Sequence, residues 1–435
     1  MRLMFTAIVI TIVMLSSCDD HGKNLDEKAL HTAKHSDKPN QNDNQVMTKS
    51  NDDNKGYAGL KPPEADQYHS LDDLLVWRYE IAETSSIALP PNGNNPNPLV
   101  VGDIVIASIF SPGEIVALDR KNGRKLWSLQ LPEYGGPHVS FADDVLYAKT
   151  SRTLYALKPA NGAVIWDWTP YDEEGEWIYS SPTIEGDRLF IGDRNGILHC
   201  LSTKTGDLLW WKKTSEDENS QVNATAIVIN DLVITATNAA LAIAYKIDSG
   251  KEVWRQSLES GSIFQIQRLG ENIIVQTSNS INLLSPGNGE IMHQWSWPGR
   301  QVTFTSVHPD GLLALTKKEA KRGSSSSSQG SLLLGLSEDD TRFEQNSDQF
   351  TRMLRYEPNT KLVYEPQYKG LGIINPISGR RLHFISSQLK SIVSLPHITD
   401  GIIYLLASET HFDKDDNGKR RFPRKVGVLL AMRHP

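Results

Sequence analysis

Cysteine is nearly missing from this sequence: Cys18 and Cys200 are the only two in 435 residues. Two thiols cannot build a disulfide framework or a four-cysteine zinc site. An excess of charge of one sign is also lacking, with 45 basic residues against 52 acidic ones and a formal net charge of −7. So mild an acidity offers no electrostatic footprint for nucleic acid, whose phosphates demand a basic face. No carboxylate pair, Ser/His/Asp set, glycine-rich phosphate loop or Cys-x-x-Cys-His haem site has a spacing that fixes its geometry. The 12 histidines are scattered without metal-ligand spacing. Nothing in the sequence calls for a cofactor or marks an enzyme. The one long apolar run is LMFTAIVITIVML, residues 3–15.

That run follows Arg2 and has the form of a signal-peptide core, too short to cross a bilayer comfortably. It ends in Leu15-Ser16-Ser17-Cys18, which resembles the bacterial lipobox. The resemblance implies cleavage before Cys18, a diacylglycerol on its thiol and an acyl chain on its new amino group. Several acyl chains together give stable anchoring. Residues 1–17 are then the leader, and the chain faces the periplasm from a membrane. Asp19 follows at once; by resemblance to the enteric sorting rule it implies retention in the inner membrane, with the outer membrane as the alternative. Residues 18–70 are polar and lack any apolar period, so they read as a flexible tether. About 50 such residues span on the order of 40 Å.

From residue 71 the sequence repeats. Residues 115–127 read IVALDRKNGRKLW, 154–166 LYALKPANGAVIW, 198–210 LHCLSTKTGDLLW and 242–254 AIAYKIDSGKEVW. A fifth copy, INLLSPGNGEIMHQW (281–295), carries its Trp two positions late, and a later one, LGIINPISGRRLHF (371–384), has none. The turn glycines Gly123, Gly162, Gly206, Gly250 and Gly289 lie 39 or 44 residues apart, and the gap to Gly379 is 90, room for one degenerate copy over 304–345. Each copy is an alternating apolar strand, a second strand, a tight turn ending in glycine and a final strand ending in Trp. Trp127, Trp166, Trp210 and Trp254 would each bury about 150–250 Å2 between neighbouring units, a structural task. The last unit, 401–433, stops before a closing strand, and LLVWRYEI (74–81), with Trp77, stands unpaired ahead of the first repeat. Pairing the two closes a ring and removes both open edges. The expected fold is all-β: an eight-bladed propeller over residues 71–435.

These copies resemble the propeller repeat of pyrroloquinoline quinone (PQQ) enzymes, Ala-x-Asp-x-x-Thr-Gly-Lys-x-x-Trp. Ala117, Asp119, Gly123 and Trp127 match it best; Thr205-Gly206 with Trp210, and Ser249-Gly250-Lys251 with Trp254, match its later part. Quinoprotein dehydrogenases carry a vicinal cysteine pair beside the quinone. The folded part here has only Cys200, which the pattern places in a strand core. In layout (lipobox, tether, eight such blades) the chain is similar to the BamB lipoproteins of outer-membrane β-barrel assembly. Those bind their barrel partner through two neighbouring interblade loops. The corresponding segments here are 213–224 and 257–264, without the family's Leu-x-Leu-Arg stretch.

Three loop sets stand out: the acidic pair 171–177 and 215–220, the serine-rich 317–330 and the basic 411–425. Propeller topology puts all three on one face. Within the last, Asp413, Asp415 and Asn417 before Gly418 resemble the start of a calcium loop, but Arg421 and Arg424 stand where further ligands should be. The expectation is a monomeric, lipid-anchored scaffold that docks envelope proteins through this face. A divergent quinoprotein or a glycan-binding propeller are the alternatives.

Overall fold

The computed structural model describes residues 65–83, 98–109, 113–131, 138–170, 177–217, 220–259, 262–318, 332–337, 341–346, 353–367, 370–387, 391–392, 394–411 and 424–435. Their strands form eight antiparallel blades. Blade 1 runs from the axis outward as Leu99–Val101, Ile104–Ile109, Glu114–Asp119 and Lys125–Gln130. Blades 2 to 7 repeat this order over 138–168, 183–213, 227–257, 263–296, 300–346 and 355–386. The two middle strands of a blade lie between neighbours on both faces, so they are almost continuously apolar and buried. The outermost strand has a wet side and alternates.

The core is therefore a ring of eight interblade layers. Ile106 meets Leu157 between blades 1 and 2, Tyr147 meets Leu189 between 2 and 3, and Phe190 meets Tyr245 between 3 and 4. Ile234 and Ile273, Ile274 and Leu312, and Leu313 and Val363 share the next three layers. Tyr364 with Leu405 fills the seventh, and Val105 with Leu429 joins blade 8 back to blade 1.

Blade 8 is shared by the two ends of the propeller. Its inner strands are His397–Thr399, a short piece Ser391–Ile392, Ile402–His411 and Arg424–Arg433. Its outermost strand is Leu75–Glu83, paired antiparallel so that Trp77 faces Ala431 and Tyr79 faces Leu429.

In blades 1 to 5 and in blade 7 the third-to-fourth-strand turn is built alike. In blade 1 the Gly123 amide donates to Asp119 O (2.8 Å), and Asp119 Oδ1 accepts from the amides of Lys121 and Asn122. Glycine is required twice over. Gly123 has φ +70°, and a Cβ there would lie 2.7 Å from the Trp77 ring of the preceding blade. The same approach, at 2.5 to 2.9 Å, sets Trp127 on Gly162, Trp166 on Gly206, Trp210 on Gly250 and Trp254 on Gly289. Each indole N–H also donates to a carbonyl of that next turn: Arg120, Pro159, Thr203, Ile247 and Pro286, at 2.7 to 3.0 Å.

The exceptions follow from the same rule. Trp295 faces a blade 6 that lacks the glycine, and its buried Nε1 has no hydrogen-bond partner among the described residues. Phe343 of blade 6 supplies the ring that packs on Gly379. Blade 7 has no Trp because blade 8 has no such turn: its third and fourth strands come from opposite ends of the propeller.

One expectation is corrected here. The polar segment 18–70 does not stay a tether to its end, because Gln67–Ser70 lies parallel on the outer strand Arg381–Ser386 of blade 7. His69 Nε2 and His383 Nδ1 are 3.1 Å apart, Asp66 pairs with Arg380 at 2.8 Å, and Leu71 is buried in the layer between blades 7 and 8.

Candidate functional site

Alternating strand directions put the blade-joining segments and the second-to-third-strand hairpins on one face. Most of 317–330 and 411–425 lies outside the described residues, and with them Asp413, Asp415 and Asn417; Cys18 lies outside as well. The sector from blade 2 to blade 4 is described except for residues 132–137, 171–176 and 218–219, which include most of the acidic pair.

It is built on the hairpin 192–197. Asp193 is buried; its Oδ1 accepts from the amides of Asn195 and Ile197, and its Oδ2 meets His199 Nε2 at 2.7 Å. The His199 ring stands edge-on to Trp168, with centroids 5.0 Å apart. The segment arriving from blade 2 is stitched to this hairpin: Arg194 N donates to Trp177 O, Tyr179 N to Gly192 O and Gly192 N to Ser180 Oγ. The segment leaving for blade 4 is held on its other side. Thr214 donates twice to Gly196 O, Val222 N donates to Asp193 O, and Gln221 and Asn238 exchange hydrogen bonds. Arg255 Nη1 ties the Thr214 carbonyl to blade 4 at 2.7 Å. The described ends of both links, 177–180 and 214 with 221–222, are thus held by hydrogen bonds.

On this frame Trp177 is 45% exposed and Trp211 53%. Arg194, Glu216 and Asp217 are exposed nearby in the chain, with Glu216 3.7 Å from Lys213. The sequence flagged the acidic stretches but not Trp211. Its signal was the tandem Trp210-Trp211: in a strand, neighbours point to opposite faces, so if one docks on the next blade the other cannot. Trp127 and Trp210 are half-buried, and Trp77, Trp166 and Trp254 are buried, each on its glycine.

Cys200 is a core residue between blades 3 and 4, and burial pushes its thiol up to about 12, far from a nucleophile's range. Among the described residues no group of three or more His, Cys, Asp or Glu side chains is placed to hold a metal ion.

A family model described as "Outer membrane protein assembly factor BamB" matches residues 111–261 and 219–416. Outer membrane protein assembly factor BamB of Bordetella pertussis is 24% identical over 252 residues, 54% of this chain and 61% of that protein. The match to its Legionella pneumophila counterpart covers 39% of that protein, so the alignments span less than two thirds of these relatives. Among solved structures, the computationally designed Ika8 protein aligns with TM-score 0.59 and 12% identity, covering 82% of this chain and 99% of that one. Quinohemoprotein alcohol dehydrogenase from Comamonas testosteroni aligns with TM-score 0.57 and 12% identity, covering 82% and 76%. At such identities the structures speak for the eight-bladed fold alone. The family match runs from the third strand of blade 1 to the hairpin of blade 8, so the chain belongs to the family of the outer membrane protein assembly factor BamB.

Proposed function

We propose that this protein is a non-catalytic scaffold in outer-membrane protein assembly, anchored at Cys18 on the periplasmic side of a membrane, which docks an envelope protein through the sector of blades 2 to 4. The family match over 111–416 carries this reading. The sector suits the task physically. The described residues at the link ends, 177–180 and 214 with 221–222, are pre-ordered by hydrogen bonds, so they lose little conformational entropy on binding. Exposed tryptophans are the side chains that most often anchor interfaces. Charged residues around them set the approach and register more than the affinity. Asp19 favours the inner membrane as anchor, whereas the family's assembly role favours the outer one.

The test is site-specific photo-crosslinking in cells from positions 177, 194 and 211. The reading expects one dominant adduct, identified by mass spectrometry as a component that inserts β-barrels into the outer membrane, and its loss in Trp177→Ala/Trp211→Ala. Stoichiometric PQQ in the purified protein, or the same adduct from positions on the opposite face, would contradict it.

A further inference from the structure

Behind this sector, in the layer between blades 2 and 3, lies a charge that no carboxylate among the described residues neutralises. Lys149 ends the second strand of blade 2 and is paired in register with His138, at the start of the innermost strand. A directly opposed pair shares one face of the sheet. Tyr147, two residues before Lys149, packs into the layer shared with blade 3, so that face looks toward blade 3. Lys149 is 7% exposed. Its Nζ makes one long hydrogen bond, 3.4 Å, to Tyr179 O in the link to blade 3. Among the described residues it has no carboxylate partner, and two of its three N–H donors are unused. His138 likewise makes no hydrogen bond among them, although its ring is still partly open to solvent.

A buried ammonium served only by a carbonyl is costly, and such groups are kept where they meet a ligand. Burial, with Lys149 beside it, holds His138 down to about 3, so it stays neutral; burial brings Lys149 down to about 8, so it stays mostly charged at neutral pH. The pair therefore offers one positive charge and a neutral ring N–H. One negative charge balances this. A phosphate, with nearly two charges at pH 7 and several acceptor oxygens, is better served by the guanidinium fork.

We propose that the pair Lys149 and His138, in the layer between blades 2 and 3, is a binding site for a single carboxylate group, received by Lys149 Nζ with a ring N–H of His138 beside it. A free small carboxylate and an acidic side chain of a docked polypeptide share this chemistry. The site stands on its own geometry and does not depend on the docking reading.

The test titrates the full-length protein in detergent with sodium acetate, or with a capped glutamate dipeptide, against chloride at equal ionic strength. The proposal expects a saturable rise in Tm of about 2 °C or more in wild type, as for any ligand of the folded state alone. Stronger binding of the dipeptide assigns the site to a polypeptide side chain, and equal binding to a free carboxylate. Lys149→Arg keeps the rise, Lys149→Met abolishes it, and His138→Phe weakens binding roughly tenfold, the loss of one charge-assisted hydrogen bond. Without ligand, Lys149→Met should be as stable as wild type or more so, since the buried charge is removed. In wild type, the His138 ring resonances shift along the same titration. Equal Tm rises in wild type and Lys149→Met, a larger rise with phosphate, unmoved His138 resonances, or a ligand-free Lys149→Met less stable than wild type would each overturn the proposal.

Discussion

Gly162 has φ +71°, and the Trp127 ring occupies the space where a Cβ would sit, 2.7 Å away. Gly186 has φ +56° and nothing within 4 Å of that position. Alanine at Gly186 should cost about 1 kcal/mol, the backbone term alone. At Gly162 it should cost about 3 kcal/mol, because the indole must move as well. Chemical unfolding of the two variants measures the difference. The docked indoles give a second contrast. Trp254→Phe removes the bond to Pro286 O and should cost about 1 kcal/mol beyond the lost contact area. Trp295→Phe removes a buried N–H that has no partner among the described residues, and its hydrogen-bonding cost should be near zero or favourable. Thermal melts should therefore rank Trp295→Phe above Trp254→Phe. The glycines and tryptophans were legible because they recur together at a fixed offset. Phe343 was not, because its own copy lacks the turn glycine and an isolated Phe in a strand carries no period. Nor were Lys149 and His138, which meet only through strand register.

At the scale of strands, the two N-terminal pieces differ in kind. Leu75–Glu83 alternates, carries Trp77 and lies at the edge of blade 8, so its pairing could be read from the pattern. Gln67–Ser70 is four residues, mostly exposed, without apolar period, and polarity alone placed it in the tether. It is held by edge hydrogen bonds, the His69–His383 contact and an exposed ion pair, and surface ion pairs contribute little. Removing residues up to 70 should therefore lower the melting temperature by only about 5 °C, with unfolding still cooperative. Removing residues up to 83 takes away the outermost strand of blade 8 and opens an apolar edge, and that protein should aggregate or lose its single transition. Light scattering and calorimetry on the two truncations distinguish these outcomes.

Over the whole molecule, several histidines are enclosed. Burial, aided by Lys149, lowers His138 to about 3. Burial, aided by Arg342, lowers His308 to about 4, and burial, aided by Arg355 and Arg120, lowers His397 to about 4. An unfolded histidine takes up its proton near pH 6.5, while these folded ones resist it. Above about pH 7 both states are neutral and these groups do not affect stability. As pH falls from about 6.5 toward 4 the unfolded chain binds more protons, so stability must drop. Urea midpoints should thus be flat from pH 7 to 8 and fall steadily between pH 6.5 and 4. Replacing His397 with Gln should flatten part of that fall.

The ring itself exists only if the two ends of the propeller pair. Eight interblade layers form one closed core, and the layer between blades 8 and 1 depends on Trp77, Ile81 and Leu429 together. Amide hydrogen exchange of the intact protein, resolved by peptide, tests this most directly. The amides of 77–81 should exchange as slowly as those of 428–431, opening only with global unfolding. Exchange of 77–81 at the rate of an unstructured chain, while 104–119 stays protected, would contradict the closed ring.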